Sequence, residues 1–329
     1  MKYQKIINEK TQCLICPRKC TLSNGQRGFC YVRRNENSEI VLDTYGYNTG
    51  LAIDPVEKKP LYHFFPSSKV LSFGTLGCNI GCLFCQNYNI TKVKYPISNC
   101  QKASPEQIVQ TALKYGCKAV AFTYNDPIIF FEYAIDTAKL CRQAGIKTIA
   151  VTSGYINEDS GKEFFGHMDS ANIDLKGFSE RFYSKNSMAH LQPVLDTIKY
   201  VARETNCFVE LTTMLIEGEN DGDVEKECEW ILNNLGADVP LHFSAFFPRY
   251  KFSDRSQTKF ETLINAYNTA QKIGLNYVYT GNLATVETST TYCKNCHKPL
   301  IKRNGYTILE NNLIDGKCPN CGTILDGCF

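Results

Sequence analysis

Long uncharged apolar runs are missing from this 329-residue sequence. The stretch PIIFFEYAI is interrupted by Glu132, and no segment reaches the roughly 20 apolar residues that a membrane-spanning helix requires. The opening residues MKYQKIINEKTQ contain no apolar core of the kind a secretory signal needs, so a cytoplasmic protein with no membrane association is expected. An excess of one charge sign is missing too. Lys and Arg number 36 against 33 Asp and Glu, a net charge of +3, which gives no reason to expect a nucleic-acid or membrane surface. Internal repeats and low-complexity tracts are absent. What remains is a globular composition, 43% hydrophobic and 21% charged, in a length that suits one large domain with small appendages and is too short for two full barrels.

Cysteine, by contrast, is plentiful at 17 residues. In a secreted chain this would suggest disulfides; without a signal segment, metal sites are the expected use. The distribution is uneven. Cys13, Cys16, Cys20 and Cys30 form one group, Cys78, Cys82 and Cys85 a second, and Cys293, Cys296, Cys318 and Cys321 a third. Cys117, Cys141, Cys207 and Cys228 stand singly within or beside apolar segments and are expected to be packing thiols.

Between the outer groups the chain alternates strand-like and helix-like segments. Val70–Leu76, Ala119–Thr123, Ile146–Thr152, Ala171–Leu175, Phe208–Thr213, Leu241–Phe246 and Tyr277–Tyr279 read as strands. Ser104-Pro-Glu-Gln107 has the pattern of an N-cap, a Pro at the first helical position and a capping box, opening a helix that Gly116 ends. Further helices are expected over Ile128–Ala144, Pro193–Glu204, Asp221–Leu235 and Lys259–Ile273, with Gly145, Gly236 and Gly274 just past three of their ends. Repeated β/α units imply a parallel sheet, and about seven strands imply an α/β fold of the barrel or partial-barrel kind, with reactive groups at the C-terminal strand ends. The boundaries expected are a barrel over 37–288, flanked by small four-cysteine modules at 1–36 and 289–329.

The first strand leads into GTLGCNIGCLFCQN, which holds Cys78-x3-Cys82-x2-Cys85. Three thiolates in eight residues can coordinate three irons of one cubane. No fourth cysteine lies nearby, so one iron would stay open to chelation by the amino and carboxylate groups of S-adenosylmethionine (SAM). An ordinary zinc or electron-transfer site would need a fourth protein ligand. Phe84 before the last cysteine and Gly81 inside the loop strengthen the pattern.

The loop and its setting resemble the radical SAM superfamily, on the branch of the pyruvate formate-lyase activating enzymes. CLICPRKC, AIDPVEKKPLYHFFP, AFTYNDPIIFFEY, HFSAFFPRY and the terminal CPNCG resemble the radical SAM protein of the AmmeMemoRadiSam system over nearly the whole chain. The resemblance implies a partial TIM-type barrel, a [4Fe–4S] cluster, SAM as cofactor, and AMMECR- and Memo-type proteins as partners. A reductant such as flavodoxin or ferredoxin would supply the electron.

Candidate cofactor contacts follow. Thr123-Tyr-Asn-Asp-Pro127 stands where such enzymes carry a Gly-Gly-Glu-Pro type motif, so Asn125 and Asp126 are candidates, although the glycines are missing and Asp replaces Glu. The alternative is a plain strand-to-helix turn. Ser153 and Gly154 follow the third strand, where glycine would admit a close ligand. Asp174 and Lys176 point to one side of the fourth strand, and the resemblance implies contact with the methionine part of SAM; a structural ion pair is the alternative. Phe84 belongs to the cluster loop, and His242 resembles a histidine near SAM, although a hydrogen-bonded core histidine would read the same way. Glu210, Thr212, Ser244, Arg249, Tyr250 and Asn282 are further polar residues near strand ends.

At the C-terminus, Cys293-x2-Cys296 and Cys318-x2-Cys321 have zinc-ribbon spacing, with rubredoxin-like iron as the alternative. The N-terminal Cys13, Cys16, Cys20 and Cys30 suit zinc or an auxiliary iron–sulfur cluster, with zinc slightly ahead. The expected function is reductive cleavage of SAM to a 5′-deoxyadenosyl radical that abstracts hydrogen from an unidentified small molecule or peptide. A glycyl-radical activating enzyme is the narrower alternative. A non-catalytic iron–sulfur and zinc protein, for electron transfer or scaffolding, is the alternative of another class. RNA modification is disfavoured by the modest charge.

Overall fold

The computed structural model of the protein describes residues 2–92 and 97–329. Its centre is an eight-stranded sheet of β1 (Leu51–Pro55), β2 (Lys69–Phe73), β3 (Ala119–Phe122), β4 (Lys147–Thr152), β5 (Ser170–Asp174), β6 (Phe208–Leu215), β7 (Leu241–Ala245) and β8 (Val278–Gly281). Each strand pairs with its neighbour in sequence, so the spatial order is the chain order. Strands β2 to β8 are parallel, and β1 joins the β2 edge antiparallel. Sequential parallel order with crossovers of one hand places the helices on one face and makes the sheet curl, which gives a partial (β/α) barrel.

The crossover helices between β2 and β8 are α1 (Pro105–Lys114), α2 (Phe131–Gln143), α3 (Glu158–Phe165), α4 (Leu191–Glu204), α5 (Val224–Leu235) and α6 (Phe260–Ile273). The capping box of α1 forms as its sequence predicts: Gln107 N donates to Ser104 Oγ at 3.3 Å, and Ser104 N donates to Gln107 Oε1 at 2.8 Å. Two elements differ from expectation. Helix α3 has no counterpart in the sequence reading, because its eight residues Glu-Asp-Ser-Gly-Lys-Glu-Phe-Phe offer only Phe164 and Phe165 as large apolar groups. Strand β1 escapes the sequence for a related reason: it is an edge strand, mostly half-buried, and carries no period-2 pattern.

The barrel interior near the strand starts is filled by residues 60–65, which follow β1. Tyr62 N and His63 N donate to Glu210 on β6 at 3.0 and 2.7 Å, and His242 Nε2 on β7 lies 2.6 Å from the same carboxylate. Burial alone would raise Glu210, but His242, His63 and the Tyr62 N–H together hold it below its ordinary value. His63 Nε2 meets the Tyr279 hydroxyl on β8 at 2.7 Å. A charged residue at the barrel floor is thus tolerated because every partner is supplied.

The terminal segments attach at different places. The N-terminal strands Gln4–Ile7, Lys10–Cys13 and Thr21–Leu22 form a small antiparallel sheet, followed by the hairpin Arg33–Glu36 and Glu39–Leu42. Asn157 Nδ2 and Ser160 Oγ, at α3, donate to the carbonyls of Leu14 and Ile15 at 2.7 Å each. At the other end of the chain, Thr291–Tyr292, Pro299–Asn304 and Thr307–Asn311 form a three-stranded sheet beneath the barrel floor. Its anchor is Arg303, fully buried, which donates to Tyr62 O at 2.7 Å and Thr291 Oγ1 at 2.8 Å and stacks over the Tyr62 ring at 4.3 Å. Replacing this guanidinium leaves buried acceptors without donors. Arg303→Ala is therefore expected to destabilise the fold by about 2 kcal/mol, read as a drop in thermal midpoint; an unchanged midpoint contradicts the anchoring role.

Candidate active site

After Phe73 the chain leaves β2 and forms an irregular loop at the C-terminal ends of the strands, reaching the short helix Tyr88–Thr91. Cys78, Cys82 and Cys85 sit on this loop. Asn125, just past β3, fastens its first half: Nδ2 donates to Gly77 O and Thr75 Oγ1 at 3.1 Å each, and Oδ1 accepts from Thr75 N at 3.0 Å. The second half is clamped by residues 183–188, where Gly81 N and Leu83 N donate to Ser187 O and Asn186 O at 2.7 and 2.8 Å. Two glycines are required by space. A Cβ on Gly77, whose φ is +84°, would lie 2.1 Å from Cys30 O, and one on Gly81 would lie 2.7 Å from Met188 Sδ.

All three thiols open into one cavity of about 310 Å³, within the size range of small-molecule sites. Burial pushes the Cys78 thiol up to about 12 and also raises Cys82. Thiolates at these positions therefore need bound cationic metal to form at neutral pH. Among the described residues, no other cysteine lines the cavity. The donor set fits an iron–sulfur cubane with one iron left without a protein thiolate.

The rest of the wall comes from successive strand ends. Asp174 and Lys176, past β5, both face the cavity, with Lys176 Nζ on Asp174 Oδ2 at 2.8 Å. Burial alone would lower Lys176, but the Asp174 carboxylate outweighs it and raises it, so the ammonium stays charged. Asp126 also lines the cavity while bridging two strand ends: Thr152 Oγ1, Ser153 N and Ile128 N donate to it at 2.9, 3.0 and 3.1 Å, and Ser153 Oγ donates as well. Burial raises the Asp126 carboxyl despite those donors. Phe84, Asn125, Ser153, Thr212 and Ser244 complete the set of sequence-predicted residues on the wall.

Gly154 and His242 are elsewhere. Gly154 packs against Ile173 and Thr197, and His242 belongs to the Glu210 layer of the barrel floor, in edge contact with the Tyr62 ring. His242 and Ser244 point the same way along β7, but His242 is second in the strand and Ser244 is fourth, nearer the open end. Arg249, Tyr250 and Asn282 likewise fall outside the lining residues.

The sequence reading missed two lysines of the wall. Lys58 and Lys59 follow β1, line the cavity, and donate to Asp54 at 2.7 Å each. Tyr124 OH reaches the same carboxylate at 3.2 Å, and Lys59 sits 5.1 Å from the centre of the Tyr124 ring. Their signal is visible in the Lys-Lys pair of AIDPVEKKP, but only the antiparallel edge strand brings that pair to the site.

The two four-cysteine groups differ in geometry. The sulfurs of Cys293, Cys296, Cys318 and Cys321 all lie within 4.8 Å of one another, with contacts of 3.5 Å (Cys293–Cys321) and 3.6 Å (Cys296–Cys318). Four sulfurs this close fit one tetrahedral ion. Hydrogen bonds lower the Cys296 and Cys321 thiols, the latter through Thr323. Cys13, Cys16, Cys20 and Cys30 line a separate, smaller cavity behind the cluster loop.

With this geometry in hand, comparisons with known proteins place the chain. Residues 73–231 match the family described as the radical SAM superfamily. An uncharacterized protein of Methanocaldococcus jannaschii is 38% identical over 99% of this chain and 98% of its own length. A GTP 3′,8-cyclase of Lactiplantibacillus plantarum is 22% identical over 70% of this chain and 74% of its own. Among solved structures, SuiB of Streptococcus suis superposes with a TM-score of 0.50 at 12% identity, covering 65% of this chain and 49% of that one, a likeness of fold alone.

The cluster of Asp54, Lys58 and Lys59 yields a pH prediction. Burial alone would raise Asp54, but the hydrogen bonds from Lys58 and Lys59 outweigh it and hold the carboxyl at about 2, below its ordinary 3.8. A depressed carboxylate adds stability above its unfolded value and loses it as pH falls through the folded one. Urea unfolding at pH 6 should separate the wild type from Asp54→Asn, and the gap should close toward pH 2. A gap that is equal at both pH values contradicts the assignment.

Proposed function

We infer that this chain, which belongs to the radical SAM superfamily, holds a [4Fe–4S] cluster on Cys78, Cys82 and Cys85 and binds SAM in the cavity those thiols share. The observation that carries this reading is the meeting of three thiols, without a fourth cysteine, and the Asp174–Lys176 pair on one cavity wall. When bound, the cluster and SAM supply one electron and reductive C–S cleavage, giving methionine and a 5′-deoxyadenosyl radical that abstracts hydrogen from substrate. The protein's part is to bind, orient and exclude water.

The chain's own residues divide that work. Lys176 offers a permanent positive charge to a carboxylate, and Asp174, beside it, accepts from an ammonium; an amino-acid moiety needs both. Asp126 fixes Ser153 and the end of β4, which keeps that part of the wall rigid. Asn125 sets the cluster loop at a fixed height above β3. Lys58 and Lys59, both paired with Asp54, and Lys92 add basic groups to the cavity wall.

The substrate is a small molecule or a peptide segment. Membership of the AmmeMemoRadiSam group, with AMMECR- and Memo-type partners, is supported by the motifs at 13–20, 52–66, 121–133 and 242–250. A flavodoxin- or ferredoxin-type donor supplies the electron in the cell. The close approach of the C-terminal sulfurs fits one tetrahedral ion, zinc or rubredoxin-like iron, and the ribbon spacing of the two Cys-x2-Cys turns makes zinc the metal proposed.

Two measurements test this. Anaerobically reconstituted protein given SAM and dithionite should release 5′-deoxyadenosine, and Cys82→Ala should abolish the release because it removes one of three ligands. Sustained cleavage by Cys82→Ala rejects the assignment. Cys318→Ala should lose the bound zinc and lower the thermal midpoint while leaving the Kd for SAM within about twofold, since the ribbon lies beneath the barrel floor. A large change in SAM affinity with an unchanged midpoint contradicts that placement.

A further inference from the structure

We propose that Cys13, Cys16, Cys20 and Cys30 ligate a second iron–sulfur cluster, packed directly behind the loop of Cys78, Cys82 and Cys85. The four residues come from separate backbone segments. Cys13 ends the strand Lys10–Cys13, Cys16 and Cys20 flank the loop that follows, and Cys30 precedes the hairpin at Arg33. Cys13 N donates to Cys20 O at 3.0 Å, which holds the two ends of that loop together. All four side chains then face one small closed cavity walled by Ile15, Leu22, Ile128 and Ile129.

The spread of the sulfurs decides between a single ion and a cluster. One tetrahedral zinc, with Zn–S about 2.3 Å, draws four sulfurs to roughly 3.8 Å of each other. The C-terminal set has that geometry. Among the described residues it is the one set of three or more ligand atoms lying mutually within 4.8 Å. The N-terminal sulfurs surround a space instead of meeting at a point, as the three thiols at the barrel mouth also do. A polynuclear cluster puts its thiolates on different irons and needs this wider arrangement.

One further observation fits a buried anionic cluster. The Arg33 guanidinium, 3% exposed, lines the cavity beside Cys13 and Cys30. It is oriented by a two-point pair with Glu132 at 3.1 and 2.5 Å and by Ile129 O at 3.0 Å.

The position is equally specific. Asn79 lines this cavity while its neighbour Cys78 lines the other, so consecutive residues of one loop face the two sites. Gly77 packs against the Cys30 carbonyl with no room for a side chain. Arg18 donates to Asn79 O and Met188 O and so clamps the N-terminal segment both to the loop and to the 183–188 segment that braces it.

The test is a metal count on full-length protein, reconstituted anaerobically with iron and sulfide and freed of excess. About one zinc and more than four irons per chain are expected, about eight if the second cluster is a cubane and about six if it is a [2Fe–2S] centre. About four irons, with one zinc or with two, overturns the proposal. The triple variant Cys78→Ala, Cys82→Ala, Cys85→Ala should keep its zinc and the remaining iron, and show a reduced-cluster electron paramagnetic resonance signal that SAM does not alter. A triple variant that keeps its zinc and shows no such signal also overturns it. Cys16→Ser with Cys20→Ser should leave the SAM-responsive signal in place, which separates failure of this site from failure of the one at the barrel mouth.

Discussion

A thiol removed from water resists ionisation, and the loop after β2 buries two of its three cysteines almost completely. The rest of the structure can be understood from that constraint. The loop cannot hold itself together through its sulfurs until metal is bound, so its shape is imposed from outside. Asn125 braces it from β3, residues 183–188 brace it from the turn after β5, and Cys30 meets it at Gly77. A loop preorganised in this way offers three thiols to an incoming cluster with little left to order, and the binding free energy is then available for ionising them.

The partial barrel separates structural charge from reactive charge along its axis. Near the strand starts, Glu210 is satisfied by His242 and by the backbone of residues 62–63, and the C-terminal sheet covers this layer through Arg303. Near the strand ends, Asp174 and Lys176 face an open cavity, whose lining Lys58 and Lys59 join from beyond the antiparallel edge strand β1. The inward positions of β6 and β7 contribute to both layers, with Glu210 and His242 at the floor and Thr212 and Ser244 at the wall. Groups at the floor hold the fold, and groups at the wall are free to meet a ligand.

Much of this is legible in the amino-acid sequence. The strand and helix alternation, the capping box at Ser104 and the three-cysteine loop each rest on a short-range pattern, and short-range patterns survive without tertiary information. Depth along a strand does not. Alternation tells that His242 faces inward, but only the stagger of the strands shows that it lies a layer below Ser244. Lys58 and Lys59 are invisible as site residues because β1 reaches the sheet edge antiparallel, a pairing with no hydrophobic signature. Cysteine spacing alone leaves the N-terminal metal open between zinc and iron–sulfur, since loop length does not report how far apart the sulfurs end up.

The central claim is that the protein leaves one iron of the Cys78–Cys82–Cys85 cluster open and that SAM completes it. Electron–nuclear double resonance on the reduced protein, with SAM labelled by 15N at its amino group and 17O at its carboxylate, measures this directly. The account predicts hyperfine coupling of both labels to the cluster, present in wild type and lost in Cys82→Ala. A reduced cluster that shows no coupling to either label with SAM bound contradicts it.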